Sequence, residues 1–232
     1  MFHPEGPSLR ELAAQALSST RHGYDLIAPK FDLTPFRTPR DLLGRVTEHL
    51  RVDGPVGSAV DLCCGTGAGV FALRGVCSEV TGVDYSSGML SEARRRLIHA
   101  PGTGPVRWVL ADTFELPFGD ASFDLATSFG AFGHIVRPRQ PAFLAEVRRI
   151  LRPGGRFVFV TSRLPPVWSR RRILYRGFNA VMRARNRVRS PPFIMYYLNF
   201  TIPEILPKFE GAGFDVQVRP LGLERCPQAL FV

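Results

Sequence analysis

Lysine is almost missing from this chain: of its 30 basic residues only Lys30 and Lys208 are not arginine. Long apolar runs are missing too. None reaches the roughly 18 residues that a helical membrane span needs. Met1 to Pro7 has no basic stretch leading into an apolar core, so no secretory signal is expected. The four cysteines, Cys63, Cys64, Cys77 and Cys226, fall at no metal-ligand or disulfide-framework spacing. They are expected as small buried apolar residues in a reducing, cytoplasmic setting, with no metal. No carboxylate pair or Cys–His arrangement points to hydrolysis. Acids are absent between Val147 and Pro203, where 13 arginines fall. The net charge of +10 therefore sits in that stretch, and the remainder is close to neutral or slightly acidic.

What is present is ordinary for a globular protein: 45% hydrophobic and 22% charged residues over 232 positions. That length can bury the core of one α/β domain with additions. The organising stretch runs from Ala59 to Gly69. A short apolar strand carrying Asp61 leads into the turn Cys63-Cys64-Gly65-Thr66-Gly67-Ala68-Gly69, and a helix pattern follows. Glycines turn tightly and let a ligand approach the backbone. The helix start offers free N–H groups suited to a carboxylate or phosphate. Dinucleotide sites share this opening, but their sixth position wants Gly or Ala, and Val70 stands there. Asp61, four residues before Gly65, would instead set a carboxylate beneath the turn, facing a cation.

Here the sequence resembles the class I S-adenosylmethionine (SAM)-dependent methyltransferases, whose first motif is such an acid–glycine loop. The likeness continues in order. Val80 to Ser86 is similar to their second strand with its terminal acid, and Leu110 to Phe118 to their adenine loop. Phe123 to Ser128 is similar to motif IV, and Arg149 to Phe157 to the turn before strand five. His22 to Asp32 resembles the opening segment of the small-molecule, quinone-biosynthesis group. The resemblance implies an α/β, Rossmann-like, doubly wound sheet of seven strands, mostly parallel with an antiparallel last strand, and helical lid elements.

The pattern along the chain agrees. Ser8–Ser18 reads as a helix, and Thr38-Pro39 as a hydroxyl cap with proline in the first turn of the next, running to Leu50. Strands are expected at about Ala59–Cys63, Glu79–Val83, Val106–Leu110, Phe123–Ser128 and Arg156–Thr161. Helices over 68–75, 86–98 and 141–151 alternate with them, which implies right-handed crossovers. Arg94-Arg95-Arg96 reads as a solvated last turn. A final helix, Pro203–Gly213, precedes strands at Phe214–Arg219 and Ala229–Val232. Functionally, one domain divides into N-terminal helices (1–56), a SAM-binding core (57–162), a basic aromatic lid (163–202) and a C-terminal hairpin region (203–232).

The resemblance implies site residues. Asp84, nineteen after Gly65, would accept both ribose hydroxyls. Tyr85 and Met89 would flank the adenine, Asp112 would accept from its amino group, and the Thr113 N–H would reach a ring nitrogen. Asp61, Gly65, Thr66 and Gly67 would hold the methionine end, with Phe31 closing over it. Ser128 falls where relatives contact cofactor or substrate.

Methyl transfer from a sulfonium asks mainly for alignment. A base is needed only when the acceptor must lose a proton, and His134 is the candidate. An Asn-Pro-Pro-aromatic signature of base methylation is missing after strand four, where Ser128-Phe129-Gly130-Ala131 stands. The expected acceptor is a small apolar or lipid-like molecule, O- or C-methylated. The alternatives are an RNA methyltransferase, a non-catalytic SAM-binding scaffold and, last, an NAD enzyme. Nine arginines lie in Arg163–Arg189 with Trp168, Ile173, Leu174, Phe178, Val181 and Met182 at helical spacing. This segment reads as a lid on an anionic membrane, as a solvated helix, or as an RNA-binding surface, in that order. Trp168, Leu174, Phe178 and Met182 would lend bulk to an apolar pocket.

Overall fold

The computed structural model describes residues 3–162, 164–222 and 228–231. Arg163, Cys226 and Val232, singled out in the sequence, lie outside these. The chain opens with α1 (Leu9–Leu17), started by a capping box between Ser8 and Glu11. Next comes α2 (Thr20–Ile27), capped by Ser19, which runs into a 3-10 turn over Ala28–Leu33. Helix α3 (Arg40–Val52) turns Leu42, Leu43, Val46 and Leu50 inward. Its expected Thr38 cap does not form. Pro39 takes the cap position without a side-chain hydrogen bond, and Asp41 in the first turn faces the dipole instead.

Strands β1 (Val56–Leu62), β2 (Cys77–Asp84), β3 (Val106–Leu110), β4 (Phe123–Ser128) and β5 (Leu151–Ser162) pair in parallel, ordered β3-β2-β1-β4-β5. Between them run α4 (Ala68–Leu73), α5 (Ser87–Leu97) and α6 (Gln140–Ile150). One face of the sheet packs α3 and α4 through Val46, Leu50, Val70 and Leu73. The other packs α6 through Phe143 and Val147 against Phe157 and Phe159. Both faces being covered, the strands read as near-continuous apolar runs. β1 and β4 are neighbours, and the connections from their carboxyl ends run in opposite directions, to β2 and to β5, which opens a crevice between them.

β5 starts five residues earlier than expected. Leu151 pairs with Phe123 and Arg156 with Leu125, and the residues between bulge out at Gly154, with φ +76°. After β5 come α7 (Arg170–Val188) and α8 (Ile202–Gly211). Short β6 (Val218–Pro220) and β7 (Gln228–Phe231) extend the sheet beyond β5, β7 pairing antiparallel with β5 and with β6. β6 is shorter than the sequence suggests. Gly213, at φ +79°, turns the chain so that the Phe214 N–H bonds the Phe209 carbonyl at 3.0 Å. Phe214 therefore packs as the close of α8 and not as strand.

Candidate active site

β1 ends at Leu62, and Cys63 adopts φ +56°, rare for a residue with a side chain. Gly65 (φ +54°) and Gly67 (φ +88°) complete the turn. Because the strand stops, Cys63 and Cys64 do not alternate between faces, and both line the same cavity. Burial pushes both thiols well up, so they stay protonated. A side chain at Gly69 would collide with the Asp61 carboxylate and with Phe129, so its absence seats α4 directly over the acid. Gly67 shapes this turn against Phe71 and Trp108 and does not itself line the cavity.

The cavity holds about 1050 Å³ at the carboxyl ends of β1, β2 and β4. Asp61 lies at its floor, 2% exposed, and accepts from the Thr127 hydroxyl at 2.8 Å. Burial pushes its pKa up to about 7, against that hydrogen bond, and the charge of Asp84 adds to the rise. Asp84 accepts the Gly65 N–H at 2.7 Å on one oxygen and the Ser86 N–H at 2.8 Å on the other. Burial raises its pKa too, opposed by these N–H groups. Two crowded buried acids favour a cationic ligand. The Asp84 carboxylate keeps acceptor capacity for a further donor.

Of the residues expected to bind cofactor, Phe31, Asp61, Gly65, Thr66, Asp84, Tyr85, Met89, Asp112 and Thr113 share this one lining. Tyr85 is half-exposed beneath the Arg21 guanidinium, 5.2 Å from its ring, while Met89 is buried. Asp112 is oriented by the Phe114 N–H at 3.0 Å. The Thr113 hydroxyl is buried without a well-formed hydrogen bond. Ser128 is different: it is fully buried, its hydroxyl donates to the Leu62 carbonyl at 3.0 Å, and it does not reach the lining.

Two acids of the His22 to Asp32 segment were given no role from the sequence. Asp25 accepts from the Ser86 hydroxyl at 2.6 Å and the Gly88 N–H at 2.8 Å, tying α2 to the start of α5. Asp32 accepts from the Thr66 hydroxyl at 2.6 Å and pairs with Arg96. Arg96 also bonds Glu92 at 2.6 Å, so it is not the solvated residue expected from the arginine run. The 3-10 turn is thereby fastened to the glycine loop. An aromatic residue directly before each acid, Tyr24 and Phe31, was the available signal.

The cavity's far end is apolar. Phe132, Ile135, Ile194, Met195, Leu198 and Phe200 contribute to it. His134 is half-buried here. Its Nδ1 meets the Ile194 carbonyl, which can only accept, so Nδ1 carries the proton and Nε2 is left as acceptor. Tyr24 Oη donates to that Nε2 at 2.9 Å. Burial lowers the histidine's proton affinity and raises the tyrosine's pKa, so both stay neutral at pH 7. The bulk expected from α7 arrives otherwise. Trp168 and Leu174 are exposed, Met182 is buried, and Tyr175 with Arg171 reaches the lining.

A glycine loop at a sheet switch point, one buried acid beneath it and a second at the end of β2 define a SAM-dependent methyltransferase site. The comparisons agree. A methyltransferase-domain family matches residues 60–159. A demethylmenaquinone methyltransferase of Staphylococcus aureus (strain JH9) is 36% identical over 174 residues, 69% of each chain. One of Clavibacter sepedonicus is 35% identical, over 69% of this chain and 63% of that protein's length. A solved DhpI–SAM–HEP complex shares the fold at TM-score 0.66 and 20% identity, covering 97% of this chain and 100% of its own. The chain belongs to the SAM-dependent, class I small-molecule methyltransferase family.

Proposed function

We propose that this methyltransferase acts on a small, lipid-like acceptor bearing an ionisable hydroxyl, methylated on oxygen or on the adjoining ring carbon. The observation that carries the reading is the neutral Tyr24–His134 pair set in an apolar pocket. The demethylmenaquinone methyltransferase names of the relatives support the same acceptor class. The cofactor's fit rests on the raised, buried Asp61 and on the acceptor capacity left on Asp84. SAM supplies the methyl group as an activated sulfonium.

Asp84 is assigned to the ribose hydroxyls, Tyr85 and Met89 to the adenine faces, Asp112 and the Thr113 N–H to its edge. Asp61, Gly65 and Thr66 hold the methionine end beneath Phe31. Asp61, relieved of its proton by a nearby ammonium, then neutralises that charge. For the acceptor, Tyr24 Oη takes the hydroxyl proton while giving its own to His134 Nε2. The freed electron pair of the acceptor is then available to the methyl carbon, and the apolar wall keeps water from competing. Segments 1–56 and 163–202 act as covers over the core in this reading. The sheet edge is taken as the seven-stranded form with an antiparallel last strand, supported by the pairing of β7 with β5.

Tyr24→Phe and His134→Ala test the relay. Each is expected to lower kcat by at least about a hundredfold while SAM affinity stays within about twofold. The lowered proton affinity of His134 places the acid limb of kcat below the ordinary 6.5 of histidine. Full turnover in either variant would remove the relay.

A further inference from the structure

Among the described residues, helix α7 is held by one face. Asn179 donates to the Tyr197 carbonyl at 2.7 Å and accepts the Tyr197 N–H at 2.8 Å. Two turns on, Asn186 makes the same pair of bonds with Phe193, at 2.9 and 3.0 Å. Tyr175 stacks on Tyr197, and Met182 is buried between the two clasps. These contacts fix the rotation of the helix. They bind it to the strip 193–197, part of which lines the acceptor end of the cavity.

The opposite face is apolar and meets solvent. Ile173, Leu174, Gly177, Ala180, Val181, Ala184 and Val188 recur at three- and four-residue intervals, and all are exposed. Leu174 is 69% and Val188 87% exposed. On a helical projection, Arg189 borders this stripe on one side, beside Arg185, which bonds the Ser18 and Pro191 carbonyls; Arg176, Arg183 and Arg187 border the other, and Arg170 lies within it at the helix start. Arg170, Arg176, Arg187 and Arg189 have no carboxylate partner among the described residues. No acid occurs anywhere from Val147 to Pro203. An apolar stripe edged on both sides by arginine matches a surface with anionic headgroups over acyl chains. A nucleic acid would match the charge and leave the stripe bare, and a second copy of this basic face would match the stripe and oppose the charge. Trp168, 88% exposed just before the helix, adds an aromatic side chain suited to the same boundary.

We propose that the exposed face of α7 docks this enzyme flat on an anionic lipid bilayer. The clasps through Asn179 and Asn186 then hold the cavity's roof next to the acyl region. A lipid-like acceptor would pass from the bilayer into the apolar end of the cavity. Only that last consequence rests on the acceptor reading above; the docking does not.

Sedimentation of the whole chain with vesicles tests it, with neither SAM nor acceptor present. Vesicles of phosphatidylcholine alone and of phosphatidylcholine with about a third phosphatidylglycerol are compared. Binding is expected to the anionic vesicles only. It should fall about tenfold or more in Leu174→Glu/Val181→Glu, and again when salt is raised to about 0.5 M. Calorimetric SAM binding should be the same in the variant and the parent, which shows that the variant folds and separates this test from the cofactor reading. No binding to anionic vesicles overturns the proposal. Binding that ignores the double substitution overturns it as well, since charge alone would then suffice. So does a dimer that Leu174→Glu/Val181→Glu dissociates, the face then belonging to a second copy. Tighter binding to a single-stranded RNA oligonucleotide than to the vesicles would assign the arginines to phosphates and overturn it too.

Discussion

Asp61 carries the electrostatic cost of the site. Its pKa stands at about 7 in the folded chain against an ordinary 3.8. The folded state therefore holds a proton that the unfolded state has released, and folding is favoured below about pH 4 by this group. That contribution is lost as pH rises through the window up to about 7. Comparing urea unfolding of the parent with Asp61→Asn from pH 4 to 8 should show the parent losing stability relative to the variant over that window. A constant difference would mean that the acid is not buried as described. A bound ammonium should reverse the balance: SAM titrated near pH 6 should release a proton from the parent and less from Asp61→Asn. Buffers of different ionisation heat would register it. The presence of this acid was legible in the sequence, since an acid four residues before the glycine turn is a local pattern. Its perturbation was not, because burial comes from α4 and Phe129, which close over it only in the fold. Ser128 shows the reverse. Its position suggested a ligand contact, and an alternating strand turned its hydroxyl to Leu62.

Elements with their own periodicity and caps were readable. α5 begins where Ser86 announces it, the hydroxyl accepting the Met89 N–H at 3.1 Å. β3 and β4 fall on the expected residues. What could not be read are contacts closing over long separations. Asp25 meets α5 more than sixty residues ahead, and Tyr24 meets His134 more than a hundred ahead. No spacing rule links such pairs. Their consequence is testable at the level of the element. Asp25→Ala leaves the Gly88 N–H and the Ser86 hydroxyl without their acceptor, which should cost about 1–3 kcal/mol in urea unfolding. It should also release α2 from α5, so that limited proteolysis cuts between residues 18 and 40 faster without SAM than with it. Equal cleavage in parent and variant would show that the helix is held by its apolar contacts alone.

For the whole molecule, much of the positive charge and the cavity's acids are arranged on opposite sides of α7 and the strip it clasps. The acids Asp32, Asp61, Asp84 and Asp112 gather in the cavity lining around the glycine loop. The arginines of α7 lie outside, apart from Arg171, which reaches the lining. Such a division lets one small domain hold a cation within while presenting positive charge without. The ordered motifs from Ala59 to Thr161 made the core legible. Helix α7 was legible only as composition and spacing, because its rotation depends on Asn179 and Asn186 meeting the strip that follows it.

Calorimetric titration of SAM into the parent and Asp84→Ala tests the central claim most directly. The account predicts one site per chain and an affinity about ten- to a hundredfold weaker in the variant, for the loss of charge-assisted bonds worth about 1.5–3 kcal/mol. No heat of binding in the parent, or the same affinity in both, would contradict it.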